Sequence, residues 1–113
     1  MQPGEIYLAQ FPFGGGPGMK LRPVLLLTGP IGSVPEVLVA YLSSVVPAVL
    51  LPSDILLDPT QPEHAGTNLK ATSVLRLHKL ATIHRRSVVR CLGKLSATTA
   101  TEVAARLRSM LSL

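Results

Sequence analysis

The residues of this chain best suited to chemistry are two arginines, a serine pair and a histidine: Arg22, Ser43, Ser44, Arg76 and His78. A guanidinium grips phosphate or carboxylate oxygens through two N–H groups at once. A hydroxyl donates to a single oxygen, and an imidazole gains and loses a proton near neutrality. Arg22 stands just before Pro23 and the run Val24-Leu25-Leu26-Leu27, a cation at the mouth of a strand whose pattern predicts burial on both faces. Arg76 and His78 are two apart in an extended segment, a spacing that sends both side chains to one face, with Leu75 and Leu77 on the other. Such a set suits an anion held by cations while a proton moves.

The elements that must position these groups are mostly short strands. Gly4 to Phe11 alternates, with Ile6 and Leu8 on one face and Tyr7, Ala9 and Phe11 on the other, and Pro12 ends it because proline cannot donate to a ladder. Gly14-Gly15-Gly16-Pro17-Gly18 then forms a loop that is expected to move as a lid, and it lacks the Lys-Ser/Thr ending of a nucleotide-binding loop. Further strands are predicted at Arg22–Thr28, Val37–Leu42, Asp54–Leu57, Ser73–Leu77 and Val88–Leu95, with an edge element bent at Pro47 over Val45–Leu51 and a loop over Thr60–Asn68. Ser96 is a good N-cap, and Val103, Leu107, Met110 and Leu111 make one apolar stripe of a closing helix. The pattern is mainly β, a small barrel or strongly bent sheet capped by a C-terminal α-helix, in a single domain of residues 1–113.

Composition narrows the class. With 47% apolar residues the chain is not of the disordered type, and its apolar runs fall short of the roughly 18 residues of a membrane span. The first residues, Met1-Gln2-Pro3-Gly4-Glu5, show no signal-peptide pattern, and the single cysteine, Cys91, suits a reducing compartment, so a cytosolic protein is expected. The charge is lopsided. Residues 1–69 carry two cations against five carboxylates (−3), whereas residues 70–113 carry nine against one (+8). A basic half of this kind is the footprint of a polyanionic partner, although a solvated surface without a ligand fits the charge equally well.

In order along the chain, Gly4-Glu5-Ile6, Arg22-Pro23, Val39-Ala40-Tyr41-Leu42-Ser43-Ser44, Ala65-Gly66 through Leu69, Ser73-Val74, Leu80-Ala81-Thr82-Ile83 and Leu92-Gly93-Lys94-Leu95-Ser96 resemble the MazF/PemK family of toxin endoribonucleases. The resemblance covers nearly the whole chain. It implies an SH3-like barrel, a homodimer, metal-independent cleavage of single-stranded RNA with no cofactor, and a cognate antitoxin whose acidic tail covers the RNA groove of a bacterial, cytoplasmic toxin. Where PemK-like members carry an arginine and an acidic residue two apart, this chain has Arg76 and His78, so an imidazole stands at the acidic position.

Carried over residue by residue, the resemblance makes Arg22, Ser43, Arg76 and His78 the catalytic set. Lys20, Ser44, Lys79, Arg85 and Arg86 are then RNA-binding residues, and neither a metal nor a cofactor site is expected. His64 and His84 read as surface residues. Plain structural readings stand beside these roles: His78 solvated at the surface, Arg76 and Lys79 on a charged face, Arg22 paired with Glu5, and Ser43-Ser44 as a strand-ending turn. Two other functions fit the same fold, a gyrase-poisoning barrel that binds protein without catalysis and a weak relative that only binds nucleic acid. The few aromatic residues, Tyr7, Phe11, Phe13 and Tyr41, limit base stacking.

Overall fold

The computed structural model describes residues 1–11, with the backbone alone at residue 11, and residues 20–113. The glycine loop expected to act as a lid lies outside the described residues. Six strands follow in order: β1 (Glu5–Phe11), β2 (Lys20–Leu26), β3 (Glu36–Ser43), β4 (Asp54–Leu57), β5 (Ser73–His84) and β6 (Val88–Lys94). A 3-10 turn at Pro62–Thr67 precedes β5, another at Arg85–Ser87 joins β5 to β6, and helix α1 (Ala97–Leu111) closes the chain. The strands form one antiparallel sheet in the order β4-β5-β3-β2-β1-β6, and among the described residues no ladder joins β4 to β6. No helix among the described residues is long and apolar enough to cross a membrane.

Both faces of the sheet are covered, which is why the central strands read as continuous apolar runs. On one face Ile6, Leu25, Ala40, Leu42, Ile55, Leu57, Leu75 and Leu77 pack with Leu95 and with Val103 of α1. On the other, Ala9, Val24, Leu26, Val37, Val39 and Ile83 form a second cluster, flanked by Met1, Tyr7, Tyr41 and Val88. Ser96 caps α1 as expected, its Oγ accepting from the Thr99 N–H at 3.1 Å. Glu63 of the first 3-10 turn adds a carboxylate there, accepting from the Thr99 hydroxyl at 3.2 Å. Gly93 lies so close to that turn that a Cβ would sit 2.8 Å from the Thr67 carbonyl, so β6 and the turn meet through bare backbone.

Several boundaries differ from those predicted, each for a physical reason. Residues 45–51 form no strand: Pro47 and Pro52 interrupt the ladder, and Val45 and Val49 are more than three-quarters exposed. The segment predicted as a loop holds the Pro62–Thr67 turn, opened by Pro62 and closed by Asn68 in the left-handed region at φ 54. The helix stripe is buried only over its first part, with Val103 in the core and Met110 and Leu111 exposed. The largest difference is in β5, which continues seven residues beyond Leu77. Against β3 its register jumps from Tyr41↔Arg76 to Ala40↔Leu80, so Leu77, His78 and Lys79 bulge out of the ladder.

Candidate active site

The ladder registers bring the two arginines and the serine to one region. Across the sheet, Tyr41 of β3 stands opposite both Val24 of β2 and Arg76 of β5, and Arg76 stands opposite Asp54 of β4. Opposed residues share a face, as do residues two apart on one strand. Arg22, two before Val24, and Ser43, two after Tyr41, therefore lie on the side of Arg76. Continued by two residues, the β2–β3 register sets Arg22 level with Ser43. Arg22 is exposed, and its side chain has no hydrogen-bond or ion-pair partner among the described residues. The alternative pairing with Glu5 is not formed, because that carboxylate accepts from the Gln2 N–H at 2.6 Å and the Tyr7 hydroxyl at 3.3 Å.

Arg76 is less available. Its Nε and Nη2 donate to Oδ1 and Oδ2 of Asp54 at 2.9 and 3.3 Å, a bidentate pair that leaves Nη1 as the nitrogen outside it. Asp54 is buried, and Oδ2 also accepts from the Leu51 N–H at 2.9 Å. Burial by itself pushes that carboxyl up, but the Leu51 N–H, Arg76 and the nearby His78 outweigh it and hold Asp54 below the ordinary carboxylate range. Sequence reasoning missed Asp54. Its only signal was a carboxylate opening a short strand between Pro52 and Pro59, with nothing local to name its partner 22 residues on.

His78 lies within the bulge and reaches the corner before β4, where its Nδ1 lies 2.7 Å from the Ser53 Oγ. That corner is fixed from two sides, by β5 and by α1. The Leu77 N–H donates to the Ser53 carbonyl at 2.9 Å, and the Arg106 guanidinium of α1 donates to the Pro52 and Asp54 carbonyls at 2.8 and 3.0 Å. Arg76 and His78 thus contact two adjacent residues of one corner, Asp54 and Ser53.

The Ser43 hydroxyl is used locally: it accepts from the Val45 N–H at 3.1 Å and donates weakly to the Val45 carbonyl at 3.4 Å. The strand-ending turn is therefore real and leaves one weakly held donor. Lys20, Ser44 and Lys79 are exposed. Arg85 and Arg86 sit apart, on the rim of a cleft of about 390 Å³ lined also by Met1, Pro35, His84 and Val88. Through the ladder Arg22–Ala9–Val88 that cleft lies two strand spacings, roughly 10 Å, from Arg22. His84 is half-buried rather than fully at the surface, its Nδ1 accepting from the Arg86 N–H at 3.0 Å, and His64 is half-buried too. A separate apolar cleft of about 210 Å³ between α1 and the end of β2 is lined by none of the candidate residues. Among the described residues no group of three His, Cys, Asp or Glu side chains is placed to hold a metal ion.

Comparison with known proteins agrees with this fold. It matches the solved Mycobacterium tuberculosis toxin MazF-mt6 with a TM-score of 0.72 and 25% identity, over 96% of this chain and 97% of that one. It also matches MazF from Deinococcus radiodurans (TM-score 0.65, 21% identity, 99% and 96% covered). An endoribonuclease in complex with its cognate antitoxin, from a mycobacterial species, is similar in fold at 15% identity (TM-score 0.69, 100% and 96% covered). No curated protein matches the sequence. Residues 2–111 match one family model, and on that match the chain belongs to the PemK-like, MazF-like toxins of type II toxin–antitoxin systems.

Proposed function

We propose that this toxin is an endoribonuclease that cleaves single-stranded RNA, as one domain over residues 1–113 acting in a homodimer in the bacterial cytoplasm. The class follows from the family and from the MazF toxins it resembles. The geometric observation that carries the reading is Arg22, an exposed cation level with Ser43 and on the side of Arg76, unneutralised by any described residue. A non-catalytic, protein-binding barrel has no need of that grouping.

In the reaction the ribose 2′-OH attacks the adjacent phosphorus, the P–O5′ bond breaks, and a 2′,3′-cyclic phosphate and a free 5′-OH result. Arg22 holds the non-bridging oxygens and stabilises the charge that grows on them, the kind of fixed electrostatic help that often contributes most to catalysis. Arg76 adds Nη1 to the same anion while Asp54 keeps its fork in place. The Ser43 hydroxyl leaves its weak bond to the Val45 carbonyl and donates to phosphate. His78 takes the 2′-OH proton or supplies one to the 5′-oxygen through Nε2, and solvent water exchanges the other; neither arginine suits that task, because a guanidinium does not release a proton near neutral pH. Lys20, Ser44, Lys79, Arg85 and Arg86 bind the flanking chain of phosphates. A cognate antitoxin with an acidic tail occupies the same basic surface and blocks it.

The test is cleavage of a long single-stranded RNA by wild type, R22A and H78A, each with and without EDTA. Cleavage by wild type that persists in EDTA and falls in both variants is expected. Full activity in both variants would remove the site, and gyrase-dependent DNA breaks without RNA cleavage would favour the protein-binding alternative.

A further inference from the structure

We propose that Ser53 is a positioning residue for His78, holding the imidazole by Nδ1 so that Nε2 is the atom that exchanges a proton with RNA; this rests on the reading of His78 as the proton carrier. His78 is exposed and sits at the centre of the β5 bulge, where no ladder partner from β3 restrains it. An exposed side chain there is free to visit several rotamers. The 2.7 Å contact with the Ser53 Oγ selects one of them.

Ser53 is the fixed member of this pair. Its carbonyl accepts from the Leu77 N–H, the carbonyls on either side of it accept from Arg106, and the next side chain, Asp54, is locked to Arg76 and the Leu51 N–H. The corner is therefore tied to β5 and to α1, and the imidazole docks on it rather than the reverse.

A hydroxyl is also the right partner for a group that must pass through two protonation states. It donates to a bare Nδ1 when the ring is neutral, and by rotating it accepts from Nδ1–H when the ring is charged. The ring keeps one orientation in both protonation states, whichever of the two protons it handles. A carboxylate in the same place would favour the charged ring alone. The charged groups on the elements around the ring are Asp54 of β4, Arg76 and Lys79 of β5 and Arg106 of α1, with Asp54 close enough to feel the imidazole.

The experiment compares S53A, S53T and H78A on a short RNA substrate across pH, with long-range ¹H–¹⁵N spectra of the histidine rings. Loss of fixed orientation is expected to lower kcat of S53A by about ten- to a hundredfold with little change in KM. S53T, which keeps a hydroxyl at this place, should restore most of the rate. In the spectra the ring signals of His78 should move in S53A while those of His64 and His84 hold, which a general loss of structure would not produce. If S53A melts early, S53C carries the same test at similar size. Wild-type kcat and unmoved His78 signals in S53A, with H78A inactive, would overturn this proposal alone. Full activity in H78A would overturn the proton-carrier reading, and this proposal with it.

Discussion

At the scale of single residues, two arginines of one type sit in opposite circumstances, and their variants should separate accordingly. Arg22 is exposed and makes no bond to a described residue, so R22A should leave the melting temperature nearly unchanged while kcat falls by about a hundredfold or more. R22K should recover only part of the loss, because an ammonium presents a point charge rather than a fork. Asp54 behaves in the reverse way. Replacing it with Ala strands Arg76 and empties a buried position, a loss on the order of 3 kcal/mol in denaturant titration. The pH dependence has a definite sign. The folded pKa of Asp54 lies below its unfolded value of about 3.9, so its contribution is complete above the unfolded value and fades as pH falls through the folded one. Wild type should therefore lose stability on acidification below about pH 4 more steeply than D54N does, as read from denaturation midpoints between pH 2.5 and 7, an assay window of roughly that span around the carboxylate range.

At the scale of elements, the sites most sensitive to change are where the helix and the turns meet the sheet. G93A should destabilise by about 3 kcal/mol, at the upper end of overpacking, because the new methyl meets the Gly66 and Thr67 backbone rather than a side chain that can swing aside. S96A removes the helix cap and loosens the hydroxyl pair on Glu63, for a loss of about 1 kcal/mol. Thermal unfolding of both variants ranks the two junctions. The elements also show what sequence does and does not carry. Strands β1, β3 and β4 and the cap at Ser96 were legible because alternation, proline stops and capping are local signals. The bulge at Leu77–Lys79 was not legible, since its three residues look like ordinary strand and only pairing with β3 marks them as extra. For the site the division is the same. The identities of Arg22, Ser43, Arg76 and His78 came from their order in the chain, but the bonds of Arg76 to Asp54 and of His78 to Ser53 span more than 20 residues and depend on the corner before β4.

At the scale of the whole molecule, the charge is divided along the sequence but not in space. The basic C-terminal part, +8 over residues 70–113, supplies β5, β6 and the turn between them, while Arg22 comes from the acidic N-terminal part. The fold lays these cations on neighbouring strands, with Val88, just after Arg85 and Arg86, two strands from Arg22. A single-stranded RNA held at Arg22 would therefore need only a few further nucleotides to bring a phosphate to that turn, since the gap is roughly 10 Å, two strand spacings. Neither Arg85 nor Arg86 touches the reacting phosphate in this arrangement, so the role proposed for them is in affinity and not in the chemical step. Removing both should reduce the salt dependence of binding by about 0.7 per phosphate contact, or roughly 1.4 in the slope of log K against log salt. The measurement is anisotropy of a labelled RNA across a salt series, in the inactive H78A background, with and without R85A/R86A. A reduced slope, with kcat at saturating RNA unchanged by R85A/R86A in the active protein, places the turn on the binding track. An unchanged slope would instead return Arg85 and Arg86 to the solvated surface and confine the RNA to the strip between β2 and β5.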